Sequence, residues 1–292
     1  LEERLAYLLL VLPAVLIYWA VVAFPTLFSV IISLTDYNGG PLLSGERSVH
    51  FVGFAHYMRM FRDRFFWISL RNNFYIILIS LFGQIPLGFV LAYALSRNLV
   101  RWRDFFQTVV YLPSVISTIV VGILWQSFFS PYGPFTVLMQ RIVPGWENTL
   151  FLNPRTAMLP VLFVMLWMYT GTYLIIFLGA LQKIDPQVIE AARIDGATEG
   201  QVMRYVVLPA LSGVIVTAAI LAISGSLKSF DLIFAMTGGG PVNSTEILST
   251  YIYHTAFQNY KFGYASAESV VFMLIIALVT ILQFRLLRGR TA

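Results

Sequence analysis

Six stretches of twenty or more mostly apolar residues follow one another along this chain, and they leave few folds open. They run over about 5–34, 73–95, 105–129, 156–181, 207–235 and 267–287. A bilayer core needs about 20 apolar residues per helix, so each can span a membrane. A 292-residue chain would otherwise suggest about two soluble domains. Only 11% of its residues are charged, against about 25% in soluble domains. So few charges cannot cover a water-facing surface, and the rest must face lipid. The same arithmetic excludes disorder. The expected fold is all-α, a polytopic membrane protein with six transmembrane helices. Its divisions are a first helix with a long loop over 1–72 and a five-helix core over 73–292.

The 5–34 stretch is too long for a signal-peptide core and has no cleavage site of the usual small-residue kind, so it is kept as a span. The chain starts at Leu1 rather than Met, as trimming of a few residues would leave it. Zero cysteines exclude disulfides, a thiol nucleophile and Cys-ligated metal. His50, His56 and His254 lack ligand spacing, so no metal site is expected. The net charge of +5 is loop bias at a membrane, since no Lys/Arg cluster could track a nucleic acid.

Six spans put both termini on one side. Arg4, the short loop with Arg97, Arg101 and Arg103, the loop with Lys183, Arg193 and Arg204, and Arg285, Arg288 and Arg290 share that side. Arg141, Arg155 and Lys261 lie opposite, with Arg47, Arg59, Arg62, Arg64 and Arg71 in one long loop. Short loops decide orientation, so the termini are expected in the cytoplasm. On the other side, Asn38-Gly39-Gly40-Pro41 reads as a turn and 135–143 as a short interfacial helix.

The loop over about 182–209 is unusual. Asp185 is a good N-cap, Pro186 a good first helical residue and Gly196 a good C′ residue. Thr198 and Gln201 form a capping box for a second helix running on to Leu208-Pro209. The segment thus reads as a rigid helix–turn–helix. It is either a plain interfacial connector or a docking element for a soluble partner. Seven of the scarce charges fall in it, from Lys183 to Arg204.

Glu190-Ala191-Ala192-x-x-x-Gly196 followed by Leu208-Pro209 resembles the EAA loop of permease subunits in bacterial ABC importers. Phe51-Val52-Gly53-Phe54, Phe66-Trp67-x-Ser69-Leu70-x-Asn72, Tyr111-Leu112-Pro113 and Thr237-Gly238-Gly239-Gly240-Pro241 with Thr245-Glu246 resemble stretches of the sugar-type permeases, in order. The last is similar to a signature of the larger maltose-importer permease. His56 and Asn73 depart from the pattern, outside the EAA loop.

The resemblance implies a type I ABC importer permease fold in a bacterial or archaeal cytoplasmic membrane. It implies a second homologous permease subunit, two ATPase subunits, a periplasmic or lipid-anchored solute-binding protein and a sugar or oligosaccharide substrate. Membrane lipid surrounds the subunit, and nucleic acid is not a partner. The chain is then not an enzyme. ATP and Mg belong to the ATPase partners, in keeping with the lack of any glycine-rich phosphate loop here. Glu190, Ala191, Ala192 and Gly196 would couple ATPase closure to the spans, and Gly196→Asp is expected to uncouple transport.

For the substrate path, Trp167, Tyr169, Thr170 and Thr172 form a polar-aromatic run that either meets sugar or packs helices. By an ungapped match to maltose-type permeases, Trp167, Ser226 and Ser229 fall at sugar-site positions. Lys228 and Asp231 are three apart on the fifth span and either pair with each other or line the path. Glu268 reads as a first-turn acid of the sixth span, favoured by the helix dipole. Glycerol phosphate or another polar solute remains an alternative cargo. A secondary transporter would call for charged relays or broken helices, and a membrane enzyme for paired catalytic acids.

Overall fold

The computed structural model describes residues 2–40, 49–97 and 99–288, without the side chains of 2–9, 284 and 286–288. Pro41 of the expected turn, Arg47 and Arg290 lie outside the described residues, as do the side chains of Arg4 and Arg288. Helices dominate, and among the described residues extended pairing is limited to one bridge, Thr35 with Phe51.

Four helices are long and apolar enough to cross a membrane: Leu10–Ile32, Arg64–Ser96, Met158–Leu181 and Phe262–Gln283. Two bent pairs complete six. Arg103–Val115 and Thr118–Phe128 meet at 97°, and Glu199–Ala210 and Ser212–Leu227 at 69°. The second span begins at Arg64, well before the expected 73, because Asp63 rather than the later arginines interrupts the helix. What reads as a featureless loop before it contains the helix Ala55–Arg62. The expected short helix after the third span is present as Pro134–Ile142.

Broken helices, expected only of a secondary transporter, are present here in two spans. Pro113 lies in the last turn before the first break, and Ile116 and Ser117 are extended. Three helices also carry a widened turn just before a proline: Trp19–Ala23 before Pro25, Ser80–Gln84 before Pro86 and Met203–Val207 before Pro209. A proline lacks the N–H for the i−4 carbonyl and its ring crowds that carbonyl. A wider turn relieves both without ending the helix.

The chain divides into two compact units. One holds residues 1–67 and 251–277, the other 68–250 and 278–292. In the first unit, Val52 and Gly53 N–H groups donate to the Leu34 carbonyl at the end of the first span. Asp63 accepts hydroxyl bonds from Tyr251 (2.7 Å) and Tyr264 (2.9 Å). Glu268 is fully buried and seven residues into its helix, which starts at Phe262. That is beyond the first turn, where a helix dipole acts, so the expected dipole account fails.

The second unit is organised by Met158–Leu181, whose sides are largely buried. It contributes Tyr173, Leu174, Phe177 and Leu178 to one apolar cluster and Val161, Val164, Met165 and Met168 to another. Helix crossings here are close. A β-carbon on Gly171 would fall on the carbonyl oxygen of Val110, so only glycine lets those two backbones touch.

Candidate functional site: a capped loop helix and an intramembrane polar cavity

The helix Pro186–Ile194 owes its ends to side chains and turns local in sequence. Asp185 accepts from the Gln187 N–H at 2.9 Å, and Pro186 opens the helix. At the other end Gly196 has φ +84°. The Ala197 N–H reaches back to Ala192 O (3.0 Å) and the Gly196 N–H to Arg193 O (3.1 Å). This paired arrangement satisfies carbonyls that a helix end would orphan. Thr198 and Gln201 form the expected capping box. The following helix runs to Ala210 and then turns by 69°, rather than continuing straight into the span.

One face of the loop helix is anchored. Ile189 is buried in the cluster holding Phe89, Phe177 and Val202, with Ala192 half-buried against it. Glu190, Ala191 and Arg193 are exposed, and so are the apolar Val188 (52%) and Ile194 (86%). Val188, Ala191 and Ile194 recur at i, i+3 and i+6, an uncovered strip of the kind a partner groove takes. Arg193 pairs with Glu199, whose other oxygen accepts from the Tyr93 hydroxyl at 3.0 Å. The loop is thereby tied to the end of the second span. Nothing in the spacing of Tyr93 and Glu199, 106 residues apart, signals this contact.

Deeper in the unit, between the two apolar clusters, lies a cavity of about 350 Å³. Tyr169, Thr172, Ser226, Lys228 and Ser229 all line it, as does Asp231. These come from two spans and are brought together as the sequence suggests. Trp167 and Thr170 are not on this wall. The Trp167 ring packs edge-on against Trp125 with centroids 5.3 Å apart, and the Thr170 hydroxyl returns to Leu166 O at 2.6 Å.

The expected helical pairing of Lys228 with Asp231 is absent. The helix ends at Leu227 and a new one begins at Asp231, so the i, i+3 geometry does not hold. Neither Lys228 nor Asp231 has an ion-pair partner among the described residues. Lys228 and Asp231 instead present opposite charges to one cavity.

Sequence reasoning missed three contributors: Ser80, Gln84 and Thr118. Ser226 donates to Ser80 at 3.0 Å, and Gln84 donates to Met165 O at 3.0 Å. The signal was there, as two polar residues inside an apolar span ahead of Pro86.

A second cluster holds the Thr237–Glu246 turn. Buried Asn72 donates to Ser244 O (2.8 Å) and Glu246 O (2.7 Å). Asn73 accepts from Leu248 N–H at 2.9 Å. Gly239 has φ +82°, and a β-carbon there would overlap the buried Glu246 carboxylate, which accepts from Thr250. The glycines thus let the turn close over a carboxylate.

The family profile described as "binding-protein-dependent transport system inner membrane component" matches residues 84–291. A probable ABC transporter permease protein of Pyrococcus horikoshii is 34% identical over 283 residues, covering 95% of this chain and 93% of that protein. The lactose transport system permease protein LacF of Rhizobium radiobacter is 32% identical, covering 97% and 94%. The multiple sugar-binding transport system permease protein MsmF of Streptococcus mutans is 34% identical, covering 81% of each. Among solved structures, a chain of a bacterial alginate ABC transporter, in complex with alginate pentasaccharide-bound periplasmic protein, aligns with TM-score 0.83. It is 22% identical and covers 99% of this chain and 96% of that one, a likeness of fold.

Proposed function

For a chain that belongs to the binding-protein-dependent transport system inner membrane component family, we propose the role of a permease subunit in an ATP-driven sugar importer. It forms half of a pore with a second, homologous permease. A solute-binding protein delivers a sugar or oligosaccharide from outside, and two ATPase subunits drive the cycle from the cytoplasm. This subunit performs no chemistry of its own, and ATP with Mg binds the ATPases. The termini and the 182–209 loop are cytoplasmic, following the basic short loops.

The observation that carries this reading is the helix Pro186–Ile194. It is anchored by Ile189 to the cluster that borders the cavity, yet leaves Val188, Ala191 and Ile194 uncovered. A rigid helix so placed can pass motion of a soluble partner to the cavity walls. Glu190 is the charged member of the docking surface, Ala191 and Ala192 the close contacts, and Gly196 the turn. ATPase closure need only favour one of two arrangements of these contacts.

In the path, Tyr169, Thr172, Ser226 and Ser229 offer hydroxyls to sugar hydroxyls, and rings stack on apolar sugar faces. Lys228 and Asp231 carry opposite formal charges, which supports a neutral saccharide over a phosphorylated solute. Trp167 belongs to this path only if the wall rearranges. The test is reconstitution with both permeases, the ATPase and the binding protein in liposomes. Sugar uptake that needs ATP is expected. Uptake unaffected by ATP depletion, or no co-purifying ATPase subunit, sinks the reading.

A further inference from the structure

The helix Ala55–Arg62 sits in a position that fixes its surroundings. The first span ends at Ile32, and two residues on, the Leu34 carbonyl accepts from Val52 (2.8 Å) and Gly53 (3.1 Å). The Ser33 and Tyr57 hydroxyls are 2.7 Å apart, and His56 Nε2 is 2.9 Å from Thr35 O. The start of the helix is therefore held at the membrane boundary. Its last residue, Arg62, is separated by Asp63 alone from Arg64, where the second span begins. A helix of eight residues is about 12 Å long. Its start lies within a few residues of the end of that span, which sets the helix beside the membrane surface.

Its sides fit that place. Met60 is fully buried, while Phe54, Met58 and Phe61 are 71%, 62% and 55% exposed. They recur at i, i+4 and i+7, which makes one apolar stripe. Trp67 continues it, half exposed, with its indole N–H donating to Phe61 O at 2.9 Å. Arg59, Arg62 and Arg64 are exposed beside the stripe. Arg59 and Arg62 border a groove with Ala55, Met58 and Asp63. The Asp63 carboxylate accepts from two tyrosine hydroxyls and forms no ion pair with either arginine. Leu27 and Ile31 of the first span are exposed as well.

We propose that Ala55–Arg62 is an interfacial helix whose Arg59–Arg62 groove binds the phosphate of an anionic phospholipid, with Phe54, Met58 and Phe61 among its acyl chains. Three arginines beside an apolar stripe complement an anionic headgroup above hydrocarbon. Arginine forks suit a phosphate better than a lysine point charge.

The test is native mass spectrometry of the intact complex, delipidated and titrated with phosphatidylglycerol and with phosphatidylcholine of the same chains. Preferential retention of phosphatidylglycerol is expected. Each of Arg59→Gln and Arg62→Gln should weaken it about five-fold, as for one basic residue at an anionic surface. Phe54→Ser with Phe61→Ser should weaken both lipids alike. Arg101→Gln with Arg103→Gln, in another loop, should change nothing. Unchanged phosphatidylglycerol retention in the Arg59→Gln/Arg62→Gln variant overturns the proposal. So does full displacement by inorganic phosphate, which would mark a free-anion site. Loss of a protein partner from that variant, with lipid retention intact, would reassign the face to that partner.

Discussion

Replacing Gly196 by alanine isolates the backbone term at the end of the loop helix. Gly196 has φ +84°, and a β-carbon built on it meets nothing within 4 Å. Overlap with the rest of the fold therefore contributes nothing, and the whole effect is the local cost of a left-handed conformation in an L-residue, about 1–2 kcal/mol. That cost falls on the turn whose bonds run from Ala197 to Ala192 and from Gly196 to Arg193. The equilibrium for holding the turn closed should drop about five- to thirty-fold. Asparagine is bulkier than alanine but several times more common at positive φ, so Gly196→Asn should stay near wild type. Gly196→Asp adds a carboxylate beside Asp195 at the negative end of a helix, so it should uncouple more than asparagine does. The assay is sugar imported per ATP hydrolysed by the reconstituted transporter. The expected order of coupling is glycine, asparagine, then alanine. Asparagine falling below alanine would show that bulk matters, and alanine matching glycine would show that the turn does not; either refutes the argument.

Asn72→Ala strips the Ser244 and Glu246 carbonyls of a buried donor, and should cost about 1–3 kcal/mol in thermal or denaturant unfolding. Asp63 titrates below its ordinary value of 3.8. Burial pushes it up, but the Tyr251 and Tyr264 hydroxyls, the Phe65 N–H and the Arg59 charge outweigh that. The carboxylate therefore stabilises the fold above its ordinary range, and this is lost as pH falls through the lowered value. Melting temperature should drop on acidification, and drop less in Asp63→Asn; parallel curves would refute this. Tyr169→Phe and Thr172→Val should raise the sugar concentration for half-maximal uptake. Trp167→Ala, off the cavity wall, should lower melting temperature instead; a changed apparent affinity would put Trp167 back in the path.

The features legible in the sequence were those whose physics is local. Asp185, Pro186, Gly196, Thr198 and Gln201 act on backbone groups within a few residues, so their spacing predicts the caps found. Tyr169 and Thr172 share a wall because residues three apart share a helix face, whereas Ser226 closes one helix and Ser229 lies in the break beyond it. The same rule failed for Lys228 and Asp231, since it presumes an unbroken helix. The second span's start was hidden for another reason. Its early turns carry Arg64 and Arg71 outside and bury Ser69, Asn72 and Asn73, so hydropathy reads them as loop. Tyr93 with Glu199 needs the tertiary fold, and no window along the chain contains both.

Three departures from regular helix meet at the cavity, and they have one cause. Interrupting a helix inside a bilayer frees backbone N–H and C=O groups, which hydrocarbon cannot satisfy. Breaks survive only where protein or a polar cavity receives those groups. Thr118 follows the first break and lines the cavity; Lys228, Ser229 and Phe230 are the later interruption, between Leu227 and Asp231, and line it too. The widened turn Ser80–Gln84 sends Ser80 and Gln84 to the same wall. Three separate spans thus depart from regular helix at one place. A polar cavity needs hydroxyls and backbone groups where lipid would forbid them, so these three irregularities mark it, whereas the 69° bend at Leu211 and the widened turns Trp19–Ala23 and Met203–Val207 do not line it. Pro86 and Pro113, each within a few residues of one, are the sequence's trace of it.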